Sequence, residues 1–305
     1  MKIAHLSDIH FTTFFKSSVL YGFENLLRYC NKNEVDHLVI TGDLVENPDQ
    51  YDFELLRKVL KQSGFLSSDR LSLVIGNHDI FGGVLTVQDL FNFTRRCESI
   101  DYRRRVKEFY EYFPEAFSGC NYISPGNIFP YAKIIDDVLI IGLNSVAEYS
   151  KTKNVFASNG EINTRQMEEL TKIFLMYKNY KTKLVLIHHH FRENNTVGET
   201  RMGSVWKIIE KQTMKLRTKR KLLELFNNFK VDLVLHGHYH ETTEYLSKGI
   251  RFLNAGGSFK NELKNQNQIN LFNTHFSVLN IEIHKIPEIL YPQVFSLSQL
   301  NSLNL

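Results

Sequence analysis

Five short segments of the 305-residue chain concentrate residues that bind metals and move protons. They are Ser7-Asp8-Ile9-His10, Gly42-Asp43, Gly76-Asn77-His78-Asp79, His188-His189-His190 and Gly237-His238-Tyr239-His240. With one His taken from the triple, they supply seven ligating groups: carboxylates, an amide oxygen and imidazoles. One divalent ion takes about four to six such ligands. Seven exceed one site and suit two ions if a carboxylate is shared. Asp43 is the natural bridge, because its two oxygens can be divided between ions. The mixed donors favour Mn, Fe or Zn over Ca and lack the thiolates of a structural zinc site. Two ions about 3.5–4 Å apart can share a hydroxide, lower the pKa of that water and neutralise phosphate oxygens. That is an apparatus for in-line attack on phosphorus. His78 directly follows the amide Asn77, where an imidazole can stabilise transition-state oxygens or protonate a leaving group. Asp79 can orient that imidazole. His78 and Asp79 are therefore the catalytic candidates.

These residues need elements to position them. The apolar runs KIAHL, HLVIT, LSLVI, VLIIGL, KLVLI and VDLVLH are short, rich in Val, Ile and Leu, and barely alternate. Such runs suit strands buried on both faces. Stretches with helical spacing lie between them. Leu20, Phe23, Leu26, Leu27 and Cys30 share one stripe, and Phe53, Leu56 and Leu60 another. Thr164 to Tyr177 forms a third, with Asn163 as N-cap and Gln166 three residues on. Strand and helix alternate, so the class is α/β. Polar residues follow nearly every strand. In open α/β sheets the ligand crevice lies beyond the carboxyl ends of the strands, so the five segments are expected to converge there.

Composition narrows the rest. Hydrophobic residues are 43% of the chain, enough for a buried core, which excludes a disordered or collagen-like chain. The net charge of +4 suits anionic substrates but does not by itself imply nucleic acid. The three widely spaced Cys form neither a disulfide framework nor a CxxC pair, which fits a reducing compartment. The N-terminus lacks the uninterrupted apolar run of a secretory signal, and no stretch approaches a membrane span. A soluble cytoplasmic protein is expected. Oligomeric state is left open.

The blocks DIH, GDL, GNHD, HHH and GHYH resemble the calcineurin-like metallophosphoesterase superfamily, whose usual pattern is D-x-H, G-D, G-N-H-[DE], H and G-H-x-H in that order. The resemblance spans about Lys2 to Ser258. NAGGS at Asn254 to Ser258 is similar to the family's closing turn, and GEINTRQMEEL at Gly160 to Leu170 resembles its Gln-containing helix start. The resemblance implies a four-layer sandwich of two facing mixed β-sheets flanked by helices. It implies one metal on Asp8, His10 and His240, and a second on Asn77, His189 and His238. Asp43 would bridge them, with His78 as the catalytic imidazole. Alternation turns His188 and His190 one way and His189 the other. The family's ligand stands two places before a Pro whose position Phe191 takes here, so His189 is expected to be the ligand, ahead of His188.

The implied activity is dimetal-dependent hydrolysis of a phosphate ester by a metal-bridging hydroxide. A phosphodiester is the first reading, by resemblance to bacterial cyclic-nucleotide and glycerophosphodiester phosphodiesterases. The alternatives are a DNA or RNA nuclease resembling the double-strand-break repair nuclease subunit, and a phosphomonoesterase. Nucleic acid is a partner only under the nuclease reading. The expected domain covers 1–284, with cap insertions at about 81–130 and 192–221 and a tail at 285–305. Phe81 to Gly119 is expected to form one or two helices. Its Arg95-Arg96 and Arg103-Arg104-Arg105 runs, with Tyr102, Tyr110 and Tyr112, are read first as amphipathic packing and second as a base-stacking surface. Arg192 and Arg201 are candidate phosphate contacts. The basic stretch Lys207 to Lys221 is read first as a solvated helix face and second as a polyanion contact. His5 and His37 are read as packing or edge residues, His236 as a structural residue or one that supports the ligands without binding metal, and Asn261 to Asn273 as a polar loop.

Overall fold

Successive side chains of a strand point to opposite faces, so an unbroken Val/Ile/Leu run needs apolar cover on both sides. The computed structural model describes residues 1–13, 17–84, 87–191, 215–240, 242–257, 266–273 and 280–287. Among these, the strands are β1 (Lys2–Leu6), β2 (His37–Thr41), β3 (Leu71–Val74), β4 (Tyr131–Ile135), β5 (Val138–Gly142), β6 (Thr182–Leu186), β7 (Leu233–His236), β8 (Thr243–Ser247), β9 (Ile250–Asn254), β10 (Gln266–Asn273) and β11 (Asn280–Pro287). The helices are α1 (Ser17–Lys32), α2 (Gln50–Gln62), α3 (His78–Phe81), α4 (Val87–Ser99), α5 (Tyr102–Tyr112), α6 (Pro114–Phe117), α7 (Thr164–Met176) and α8 (Lys219–Asn228).

All six apolar runs are strands. They belong to two mixed sheets, one ordered β11-β10-β1-β2-β3 and the other β4-β5-β6-β7-β9-β8. β1, β2 and β3 are mutually parallel, as are β5, β6, β7 and β9. Alternation in the second sheet explains its double burial. Val138, Ile140, Leu184, Leu186, Leu233, Leu235 and Leu253 face the core shared with the first sheet. Leu139, Ile141, Val185, Val234 and Phe252 face a separate core made with Leu170 and Phe174 of α7 and Leu222 and Phe226 of α8. Phe23, Leu26 and Leu27 of α1, and Phe53, Leu56 and Leu60 of α2, cover the first sheet. This is the expected two-sheet sandwich flanked by helices.

Asn163 caps α7 as expected, its side chain accepting from the Gln166 amide at 2.9 Å. Gln166 does not close a reciprocal box. It turns inward and holds both backbone groups of Asn144, at 2.9 and 2.8 Å.

Three expectations need correction. The segment after Phe81 forms three helices, α4 to α6, because Asp101 caps a new start at α5 and Pro114 begins another at α6. Of these, α5 and α6 lie against α2. Arg57 pairs with Glu115, and the Phe53 and Tyr112 rings stack at 4.7 Å. Tyr102 donates to the Val146 carbonyl at 2.7 Å, and Tyr110 packs on Phe117, so all three tyrosines are used in packing. The Asn-rich stretch is not simply a loop, since Gln266–Asn273 is β10 and pairs antiparallel with β1. A backbone ladder needs no apolar side chain. Finally, β4 was not among the expected strands. It lies at the edge of the second sheet, and its Tyr131 and Lys133 donate to Leu73 O and Leu71 O of β3, at 2.9 and 2.6 Å. β3 is an edge strand, so β4 satisfies carbonyls that would otherwise be left open.

Candidate metal centre

Parallel strands deliver their exit loops to one edge. β1, β2 and β3 bring Asp8 and His10, Asp43, and Asn77 with His78. The second sheet brings His188 to His190 after β6, and His238 and His240 after β7. Backbone bonds tie these loops together. Asp8 N donates to Gly42 O at 3.1 Å, His10 N to Asp43 O at 3.0 Å, and Gly237 N to His188 O at 3.0 Å. Across the sheets, the Asp8 carboxylate accepts from His238 N at 3.0 Å.

The glycines in these motifs have a steric reason. Gly42 has φ 87°, and a Cβ there would lie 2.6 Å from His188 Nδ1. A Cβ on Gly76 would collide with the Asp43 carboxylate and amide. Four non-glycine residues also sit in the left-handed region: Asp8, His10, Asp43 and His238, with φ of 51, 48, 49 and 69°. Each such residue costs about 1–2 kcal/mol, and such strain gathers at functional sites.

Two donor clusters meet at Asp43. In the inner one, His188 Nε2 lies 3.1 Å from Asn77 Oδ1, 3.1 Å from His238 Nδ1 and 3.3 Å from Asp43 Oδ2. His188 Nδ1 donates to Thr41 O at 2.8 Å, which fixes the tautomer and leaves Nε2 for the cluster. All four residues are buried. In the outer cluster, His10 Nε2 lies 3.3 Å from His240 Nε2 and 3.8 Å from Asp43 Oδ2, and His240 Nε2 lies 3.6 Å from Asp8 Oδ1. The His240 side chain is 39% exposed, so this cluster opens to solvent.

The expectation for the triple His is corrected here. His189 Nδ1 bonds Ser145 Oγ at 2.8 Å and its Nε2 bonds Ser158 O at 3.2 Å, so both nitrogens are engaged elsewhere. His188 stands in the cluster instead. Alternation separated the two residues correctly, but counting back from an absent Pro chose the wrong side.

His78 sits beside the outer cluster. Its backbone N donates to Asp43 Oδ1 at 2.8 Å, its ring meets His10 edge-on at 4.5 Å, and its side chain is 21% exposed. Asp79 does not orient that ring. It accepts from Leu44 N, Val45 N and Gly76 N at 2.8, 3.1 and 2.8 Å, pinning the Asp43 loop to the Asn77 loop. The orienting place belongs to Glu46, which sequence reasoning missed. Its Oε2 lies 2.9 Å from His10 Nδ1, and its backbone carbonyl and Oε1 lie 3.2 and 3.6 Å from His78 Nδ1. The available signal was a carboxylate three residues beyond Asp43 in the same exit loop.

The electrostatics follow the packing. Burial pushes the Asp43 carboxyl up, but the imidazoles of His188, His78 and His10 outweigh it and hold it well below the ordinary range. Burial lowers His188, yet the Asp43 charge draws it up to about 9. Burial, then the neighbouring imidazoles of His189 and His188, hold His238 well below the usual range, so its ring is neutral. Burial and then the Asp43 charge push Asp79 up to about 8, against its three backbone donors.

The other sequence candidates fall outside the centre. His5 bonds Thr41, His37 bonds Asp69 O and Ser72, and His236 bonds the Tyr245 hydroxyl, all inside the protein. Arg192, Arg201 and Lys207 to Met214 lie outside the described residues. No helix among the described residues is long and apolar enough to cross a membrane.

The fold recurs in solved structures. A dimetal phosphatase from Danio rerio superposes with a TM-score of 0.59 at 8% identity, covering 95% of this chain and 96% of that one. A purple acid phosphatase from yellow lupin (Lupinus luteus) seeds gives 0.58 at 13% identity, covering 93% of this chain and 51% of that one. At these identities the likeness establishes the fold. No curated protein sequence matches the chain. The calcineurin-like phosphoesterase family profile matches residues 1–242, which hold every donor of both clusters. The chain thus belongs to the calcineurin-like phosphoesterase family, metal-dependent hydrolases of phosphate esters.

Proposed function

We propose that the chain hydrolyses a phosphodiester at a centre of two divalent ions shared through Asp43. The observation that carries this is the meeting of two donor clusters on one carboxylate. The residues fit the ions. Inner donors stand 3.1–3.3 Å apart, and ligands bound at about 2.1 Å are spaced about 3.0–3.4 Å from each other. His188, Asn77, His238 and Asp43 would hold one ion, and Asp8, His10, His240 and Asp43 the other. The donor set suits Mn, Fe or Zn. Bound ions supply Lewis acidity toward phosphate oxygens and activate water.

The chain's own residues do the rest. Glu46 holds the His10 ring so that Nε2 faces the outer cluster. His78, partly exposed and held at its Nδ1 side by Glu46, is the proton donor to the leaving oxygen. Asp79 keeps the Asp43 and Asn77 loops in register. The diester preference is supported by the form of the GNHD and GHYH blocks. A cytoplasmic setting is supported by three cysteines in the free thiol form.

The test is initial rates on bis(p-nitrophenyl) phosphate and p-nitrophenyl phosphate after metal stripping and Mn²⁺ reconstitution, with Asn77→Ala as control. Metal-dependent turnover favouring the diester is expected. A monoester preference would make the enzyme a phosphatase with the same metal chemistry.

A further inference from the structure

The turn behind His78 and Glu46 is held from outside their own loops. α3 is one turn of helix that starts at His78, and the chain leaves it through Gly82 and Gly83. Gly82 N donates to His78 O at 3.0 Å, and Gly83 N to Glu46 O at 2.9 Å. A Cβ on Gly82, at φ 72°, would strike the Asn47 side chain, and one on Gly83 would strike the Glu46 carboxylate and the His78 ring. The Gly83 α-carbon is thus the back wall of the Glu46–His78 pair. Two successive glycines are also the most permissive backbone a chain can have, so the wall needs support.

Arg96 of α4 supplies it. Its Nη2 donates to Gly83 O at 2.6 Å. Phe93 and Cys97 of the same helix are buried in the core, and the guanidinium carbon lies 5.2 Å from the centre of the Phe93 ring. Those contacts fix where the guanidinium stands. Arg104 and Arg105 of α5 pair with Glu108 at 2.8 and 3.0 Å, whereas Arg96 pairs with no carboxylate among the described residues. Its Nε is buried with no hydrogen-bond partner among them. Burying part of a guanidinium this way costs stability. An uncharged side chain of similar length would pack there without that cost. What requires the guanidinium is the Gly83 carbonyl, which receives a charge-assisted bond.

Gly83 is therefore gripped at both its N–H and its carbonyl, and its α-carbon cannot withdraw from the Glu46 carboxylate or the His78 ring. Loss of the Arg96 bond frees one of the two grips and gives the imidazole room to swing. The Asp43 and Asn77 loops, pinned separately by Asp79, stay in place.

We propose that Arg96 is a positioning residue for the reaction: by clamping the Gly83 carbonyl it presses the turn after α3 against Glu46 and His78 and holds the His78 imidazole at the leaving group. This rests on the role given to His78 above. The test uses Arg96→Met and Arg96→Lys on the metal-loaded full chain, with Arg95→Met as an exposed neighbouring control. The substrates are thymidine 5′-(p-nitrophenyl phosphate) and thymidine 5′-(phenyl phosphate), and the monoesters p-nitrophenyl and phenyl phosphate, so that the choice between diester and monoester does not enter. Phenol is the poorer leaving group and depends more on a delivered proton. Arg96→Met is expected to lower kcat about 10–100-fold on the phenyl esters and less than about 3-fold on the p-nitrophenyl esters, with KM and metal content unchanged. Arg96→Lys, which can still donate to the carbonyl, and Arg95→Met should both stay within about 3-fold of the unmodified chain. In a His78→Ala background the cost of Arg96→Met should shrink below about 2-fold. In the metal-free chain the Gly83 amide should exchange its hydrogen about 10-fold faster in Arg96→Met. A cost that persists without His78, a leaving-group profile unlike that of His78→Ala, a loss confined to KM or accompanied by loss of metal, a Lys variant no better than Met, or unchanged Gly83 exchange would each overturn the clamp. The reading of His78 fails separately. If His78→Ala slows both leaving groups equally, His78 is not the proton donor, and the clamp still stands where the cost of Arg96→Met vanishes in that background. If His78→Ala slows neither, both fall.

Discussion

The two donor clusters on either side of Asp43 are built differently. The inner donors are buried, lie 3.1–3.3 Å apart and are braced from behind, His188 by the Thr41 carbonyl. The outer donors lie 3.3–3.8 Å apart and end in a half-exposed His240. A pre-formed, dry site holds an ion with little reorganisation, while an open one lets it exchange with water. The inner position is therefore expected to retain its ion and the outer one to trade it. This suits a centre in which the outer side also receives substrate and carries His78.

The sharpest way to break the comparison is at the shared residue. Asp43→Asn should empty both positions and lower kcat/KM on bis(p-nitrophenyl) phosphate by about 10³-fold or more, with metal content read by mass spectrometry. Loss of a single equivalent would show that Asp43 does not join the clusters. Next comes the inner cluster. His188→Ala should lose one ion and about 10²–10³-fold in rate, whereas His189→Ala should keep its metal and lose about 1–3 kcal/mol of stability by stranding Ser145. The reverse pattern would return the ligand role to His189. Glu46→Gln should weaken the outer ion by about 10–100-fold, and excess Mn²⁺ should restore most activity. His240→Ala should likewise respond to added Mn²⁺, and chelation should remove metal in two phases with the outer ion first.

The smallest effect on activity is expected outside both clusters. Lys133 is buried among carbonyls, and burial lowers its pKa to about 8. Above about 8 and below its ordinary value near 10.5, the unfolded chain binds more protons than the folded one. Stability should therefore rise with pH across that window, by at most about 1.4 kcal/mol per pH unit. Lys133→Met should flatten that slope in urea titrations while leaving metal content unchanged.

The contrast between clusters also explains what could be read from residues alone. The donor types and their positions after strands were legible, because apolar runs buried on both faces announce themselves and end abruptly in polar residues. β4 was not, since Tyr131 and Lys133 interrupt its apolar pattern and act across to another sheet. β10 was hidden by Asn and Gln, because its place is set by backbone pairing with β1 at long range. The choice between His188 and His189 depends on which face of β6 looks toward the first sheet. Alternation gives two sides and no sign. Glu46 carried no motif of its own, and only the folded exit loop brings it to His10 and His78.

Four residues of the centre, Asp8, His10, Asp43 and His238, hold their backbones in the left-handed region. Glycine would adopt those angles freely. Selection for folding alone would therefore favour glycine at the positions where chemistry demands a carboxylate or an imidazole. A descendant relieved of its reaction is expected to drift toward glycine there and melt at a higher temperature than its metal-free ancestor. In such a lineage, glycine at Asp8 or Asp43 would date the loss of catalysis, and the gain in melting temperature would measure how far the ancestral backbone was bent to reach its metals.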